Sequence, residues 1–174
     1  DLADFTLFGD EAVIRKLAAD IGLDLARVEV VDETGLAMSA LKAVQYVSSG
    51  NAGTLMKGLI GTTDFLRAVL DKEVGLRTGS LISHVAVIKS DKFDRFFYLT
   101  DGAMNIAPTL DQKVQIINNA VKVAHALGND NPKVACLAAV ETVNPDMPAT
   151  IDASLLAKMS DRKQIKGCVV DGPF

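Results

Sequence analysis

The sequence is short of the residues that mark several function classes. It has two cysteines and two histidines in 174 residues. Cys136 and Cys168 sit in apolar runs and read as reduced core residues, not as a disulfide or a metal pair. His84 and His125 have no second His, Cys or carboxylate at ligand spacing, so no metal centre is expected. Ser83 next to His84 has no visible partner for a nucleophilic triad. Basic residues are not in excess: 18 Lys and Arg stand against 22 Asp and Glu, a net charge of −4. That balance carries no electrostatic footprint for nucleic acid, although an anion can still bind where positive charge is local. No apolar stretch reaches the ~20 residues of a membrane-spanning helix, and no signal peptide is evident. A cytoplasmic protein without membrane contact is therefore the expectation. No G-x-G-x-x-G dinucleotide fingerprint occurs, and the run Gly53 to Gly58 lacks the Gly-Lys-Ser/Thr of a phosphate-cradling P-loop.

What is present is a 49% apolar composition, ample for a packed core, and a recurring pattern of polar loops after short apolar strands. Leu55-Met56 runs into Lys57 to Asp64. Arg95 to Leu99 runs into Thr100 to Asn105. Lys133 to Ala139 runs into Glu141 to Thr150. In open α/β sheets, ligands bind where loops gather beyond the carboxyl ends of strands. Three such loops, rich in donors and small residues, suggest one pocket for an anionic ligand.

The rhythm of the chain predicts a mixed α/β protein of two lobes. Phe5 to Phe8, Val28 to Val31 and Leu55-Met56 read as strands. Between and after them lie helices, one capped by Asp10, one with its core at Leu41 to Val47 and one with the stripe Phe65, Leu66, Val69 and Leu70. That alternation implies a mainly parallel sheet with helices on its faces. His84 to Ile88 and Arg95 to Leu99 then read as an antiparallel hairpin joined by Lys89 to Asp94. Thr109 and Gln112 form a capping box for the clearest helix, which Gly128 ends. A short helix over Asp152 to Met159 and a strand over Cys168 to Val170 follow. The change of style places the lobes at 1–74 and 75–174. Both ends read as cut from a longer chain, which opens at Asp1 without Met and stops at Phe174 just after a strand.

Each loop admits a binding and a plain structural reading. Gly61-Thr62-Thr63-Asp64 opens a helix, where free N–H groups and the positive helix end favour an anion. Thr62 and Thr63 add hydroxyls, Arg67 lies one turn inside and suits a bidentate pair with phosphate, and Lys57 is a second cation. Equally, a threonine could serve only as N-cap and Arg67 as a solvated charge. Arg77, between Gly75 and Gly79, is either a ligand contact or solvated. Asp101 and Asn105, ahead of Pro108, either tie down their turn or touch a ligand. Glu141, Asn144 and Thr150 share a loop with Pro145 and Pro148, which is either a stiff binding wall or a rigid connector.

Taken in order, these stretches resemble the phosphate acetyl/butyryltransferase family, and its phosphate butyryltransferase branch in particular. The resemblance rests on Leu55 to Ile60, Gly75 to Val87, Thr100 to Pro108, Glu141 to Ala153 and Val170-Asp171-Gly172-Pro173, so it runs through nearly the whole chain. It implies transfer of a short or branched acyl group from acyl-CoA to phosphate, giving acyl phosphate and CoA. Coenzyme A is then a substrate and no resident cofactor is needed. It implies an α/β fold like that of isocitrate and isopropylmalate dehydrogenases, a mixed sheet with helices on both faces, two domains and a cleft between them, and a homodimer. Thr62-Thr63-Asp64-Phe65-Leu66-Arg67 matches the family's Thr-x-Asp-x-x-Arg helix start, which gives Arg67 a phosphate- or CoA-binding role. Asp101, Asn105, Glu141, Asn144, Thr150 and Asp171 would line the cleft. Family members are longer than this chain. The expectation is that an N-terminal strand and helix are missing, and that catalytic residues, a Ser-Arg pair and an aspartate proposed to deprotonate the CoA thiol, fall beyond Phe174, leaving this stretch weak or inactive alone. Two rival readings are a non-catalytic fragment that holds CoA or phosphate, and an NAD- and metal-dependent dehydrogenase on the same fold. The second would need an aspartate cluster, and none stands at convincing spacing.

Overall fold

A computed structural model of the chain describes residues 3–174. The chain divides into two compact units, one up to Gly79 and one from Ser80.

The first unit begins with strand β1 (Phe5–Gly9), helix α1 (Glu11–Ile21) and strand β2 (Val28–Asp32). The Asp10 side chain accepts from the Val13 N–H at 3.0 Å and so starts α1, as the sequence predicts. Gly22 ends it at φ 68°, a left-handed turn that a residue with a Cβ adopts only at a cost. β1 and β2 pair in parallel, Phe5 opposite Val28 and Gly9 opposite Asp32. Helices α2 (Leu36–Ser48) and α3 (Thr62–Val69) complete the unit. Their contact forms its core, in which Ala40, Val44 and Ala68 are buried and Leu41, Leu55, Ile60, Val69 and Leu76 pack around them. The expected third strand at Leu55-Met56 does not form. Leu55 instead packs beneath α2 and α3 while Met56 is 79% exposed. A two-residue apolar run is too short to pair without a neighbour to specify it.

The second unit holds the predicted antiparallel hairpin, β3 (Ala86–Ser90) with β4 (Phe93–Leu99). Its strands run further than expected, and Ser90 already faces Phe93, so only Asp91 and Lys92 turn the chain. Helix α4 (Leu110–Ala126) carries the predicted capping box, in which Thr109 accepts from the Gln112 N–H and the Gln112 side chain accepts from the Thr109 N–H at 2.9 Å. Strand β5 (Lys133–Ala135) pairs in parallel with β6 (Val169–Asp171). Ladder-like bonds continue past the strand ends, from Cys136 N–H to Asp171 O at 2.9 Å and from Ala138 N–H to Phe174 O at 2.7 Å. Helix α5 (Pro148–Asp161) begins four residues earlier than the sequence suggests, with Pro148 in its first turn. Proline suits that place because the N–H it lacks would be unbonded there. Ile117 and Val121 of α4, Leu156 of α5, Ile165 and Val170 make the core. Burying side chains of this size contributes about 1.5–3 kcal/mol each. Among the described residues the strands form three two-stranded sheets in place of the single sheet expected.

Candidate functional site

The nominated residues fall in both units. In the first unit, α3 starts at Gly61, an extended N-cap (φ −60°, ψ 137°) without a side-chain capping bond. Neither threonine is therefore the cap. Thr62 and Thr63 are both exposed in the first turn, where helical N–H groups have no partner within the helix. A glycine cap leaves this end open, since a Cβ there would come no nearer than 3.7 Å to another group, the Asp64 carboxylate. Arg67 donates from Nη1 to Asp64 Oδ1 at 2.7 Å, and its side chain is 71% exposed. An exposed pair of this kind contributes about 0.2–1 kcal/mol, so a dianion can displace the carboxylate at small cost. Lys57 Nζ donates to Ile60 O at 2.9 Å, which folds the cation back over the loop leading into α3. The structure thus gathers Lys57, Thr62, Thr63 and Arg67 on one short loop-and-helix segment. Arg77 is exposed.

In the second unit, Asp101 organises its turn. Oδ1 accepts from Ala103 N–H at 3.2 Å and Met104 N–H at 3.1 Å, and the Asn105 amide donates to the other carboxylate oxygen. Asn105 also donates to Ile82 O at 3.1 Å, joining the turn to the segment before β3. Burial alone would raise the Asp101 pKa. The Asn105 amide and the backbone around Ala103, Met104 and His84 outweigh it and hold the carboxyl below its usual range. Asn144 and Thr150 bond to one another. The fully buried Thr150 hydroxyl accepts from Asn144 N–H at 2.9 Å, with Met147 O at 2.8 Å and Asn144 O at 3.0 Å as its acceptors. Thr150 lies inside α5 and not in the loop where the sequence placed it. Glu141 and Asp171 are exposed, and Asp171 accepts from Gly172 N–H at 2.9 Å.

A cavity of about 1160 Å³ opens in the same unit between β4, α4, β5 and α5. Of the nominated residues, Asp101 lines it. So do Lys113 and Asp152, which pair at 2.6 Å between α4 and α5 with only about a quarter of each side chain exposed. Cys136 lines it too, its thiol pushed up by burial. Sequence reasoning missed Lys113 and Asp152, and it missed Gln115 and Asn119. Gln115 accepts from Leu81 N–H at 3.0 Å, and Asn119 donates to Leu81 O and Ser83 Oγ, both at 2.9 Å. The signal was there: Gln115 and Asn119 are polar positions one turn apart on a helix whose other faces were assigned.

The profile of the phosphate acetyl/butaryl transferase family matches residues 10–174. The chain is 57% identical to the phosphate butyryltransferase of Clostridium acetobutylicum over 99% of its own length and 58% of that protein's. It is 42% identical to the phosphate acetyltransferase of Thermotoga maritima, over 97% of this chain and 57% of that one. Among solved structures, a branched-chain phosphotransacylase from Enterococcus faecalis superimposes with a TM-score of 0.78 at 31% identity, covering 98% of this chain and 68% of that one. The chain therefore spans somewhat more than half the length of the curated relatives it matches.

Proposed function

The chain belongs to the phosphate acetyl/butaryl transferase family, and from that premise we propose that it is part of an acyltransferase that converts a short or branched acyl-CoA and inorganic phosphate to acyl phosphate and CoA. The observation that carries this reading is the 57% identity to a phosphate butyryltransferase across 99% of the chain. A phosphate oxygen attacks the acyl carbon and forms the C–O bond as the carbonyl electrons move to oxygen. Collapse of that intermediate breaks the C–S bond, and the electron pair leaves with the CoA sulfur, which takes up a proton. The protein's share is positioning and charge stabilisation. Thr62, Thr63 and the open N–H groups of α3 hold phosphoryl oxygens, Arg67 leaves Asp64 to form a fork with the phosphate, and Lys57 adds local charge. Asp101, Asn105, Glu141, Asn144, Thr150 and Asp171 shape the cleft wall. Coenzyme A enters as substrate, and the reading needs no resident cofactor. The complete enzyme is a cytoplasmic homodimer with the two-domain fold of isocitrate and isopropylmalate dehydrogenases.

The test is release of CoA thiol from butyryl-CoA on addition of phosphate. The chain joined to the remainder of the Clostridium acetobutylicum relative turns over in a phosphate-dependent way, whereas the 174-residue chain alone falls well below that rate. Turnover indifferent to phosphate contradicts the assignment. The partial span of the relatives favours one other reading, a stretch that binds CoA or phosphate without turnover. Ligand-dependent thermal stabilisation, with no thiol released in either form, would select it.

A further inference from the structure

The cavity of the second unit is bordered by two strands, each paired on one side. β4 pairs with β3, β5 pairs with β6, and no pairing joins β4 to β5. Yet an unbroken run from each borders the same space, Asp94 to Asp101 on one side and Asn131 to Leu137 on the other. The bonds beyond β5 give its facing. The Cys136 N–H and C=O and the Pro132 C=O bond to the β6 side. In a parallel ladder the intervening residues, Lys133, Ala135 and Leu137, then direct their N–H and C=O groups the other way. The floor is apolar, built of Ile116, Ala120 and Ala124 on α4. Leu137 lies open at the rim, 71% exposed.

We propose that this cavity is an unfilled strand position. Its occupant is an apolar β-strand from the part of the family's length that this chain does not span, which bonds to β4 and β5 at once and merges the two small sheets into one five-stranded mixed sheet. The size fits. A strand of five or six residues runs about 17–20 Å, takes about 4.8 Å of sheet width and about 10 Å of thickness, or about 800–1000 Å³. The cavity holds about 1160 Å³. The edges fit as well, since two unsatisfied strand edges facing one another across an apolar floor are a template for a strand. The supply fits too, because the chain spans 58% of the Clostridium acetobutylicum relative and 68% of the superimposed Enterococcus faecalis structure.

The experiment supplies the unmatched remainder of the Clostridium acetobutylicum relative as a separate polypeptide, co-expressed with the 174-residue chain, and reads amide hydrogen exchange residue by residue. The proposal expects a complex in which the amides of Ala135 and Leu137, together with alternate amides of β4, slow at least tenfold, while those of β3 do not change. Leu137→Asp, harmless to the chain alone because the side chain is exposed, weakens association at least tenfold. Failure to associate overturns the proposal. So does association that leaves either edge unprotected, or a Leu137→Asp variant that binds like the parent. Self-association of the chain that protects the same edges also overturns it, since the occupant would then be a second copy.

Discussion

The half-buried Asp101 and the fully buried Thr150 show how differently two polar side chains can serve a loop. Asp101 gathers three donors onto a carboxylate whose pKa they depress. A carboxyl depressed in the folded state adds stability that is present above its unfolded pKa and lost as pH falls through the folded value. Asp101→Asn is therefore expected to lower urea stability at pH ~7 and to cost progressively less below pH ~4, near the unfolded carboxyl value. An equal penalty at both pH values would contradict the role given to the charge. Thr150 works without charge, its hydroxyl serving Asn144 and Met147 from a fully buried position. Thr150→Val keeps the shape but orphans the Asn144 N–H, and a loss of about 1–3 kcal/mol in urea unfolding is expected. Arg67 is the proposed phosphate contact, and its test is kinetic. In the enzyme of full relative length, Arg67→Ala should raise the phosphate KM or depress kcat by at least ~10-fold, the loss of a charged hydrogen bond of about 1.5–3 kcal/mol. An unchanged phosphate response would reject its assignment. The sequence nominated Asp101, Asn105 and Arg67 from spacing and resemblance. The partners that hold them, the Asn105 bridge to Ile82 and the Arg67 pair with Asp64, depend on side-chain directions that spacing alone does not give.

At the scale of elements, what was legible was what neighbouring residues decide. Asp10, the Thr109–Gln112 box and Gly128 each set a helix end through contacts within a few residues, and each does so in the structure. What required distant partners was read less well. Leu55-Met56 had no strand to pair with, and Pro148 marked a helix start where the sequence suggested a stiff loop. Two cap variants separate structure from binding. Thr109→Ala removes a working cap and should cost about 1 kcal/mol of stability. Thr62→Ala follows a glycine cap, so its stability change should stay within about 0.5 kcal/mol while phosphate affinity falls. If thermal unfolding ranks the two the other way, Thr62 is structural. Gly75 makes a third case: a Cβ there would sit 2.3 Å from Asp71 O and 2.7 Å from Val69 O, inside the turn where the Leu76 N–H returns to Val69 O. Gly75→Ala must open that turn and is expected to lower the melting temperature.

At the scale of the molecule, family membership was legible because the resemblance is spread in order along the chain, so no single loop had to carry it. The three separate sheets were not legible, because each strand's edge partner is a matter of topology and not of local pattern. On the proposed function, an anion is held at the open start of α3 by Arg67 and its neighbours. The most direct measurement is a titration of the chain with inorganic phosphate, followed by the backbone amide NMR shifts of Thr62, Thr63 and Asp64. Saturable shifts centred on those three amides, abolished in Arg67→Ala, are expected. Shifts centred elsewhere, or the same shifts in the Arg67→Ala variant, would contradict the proposed function.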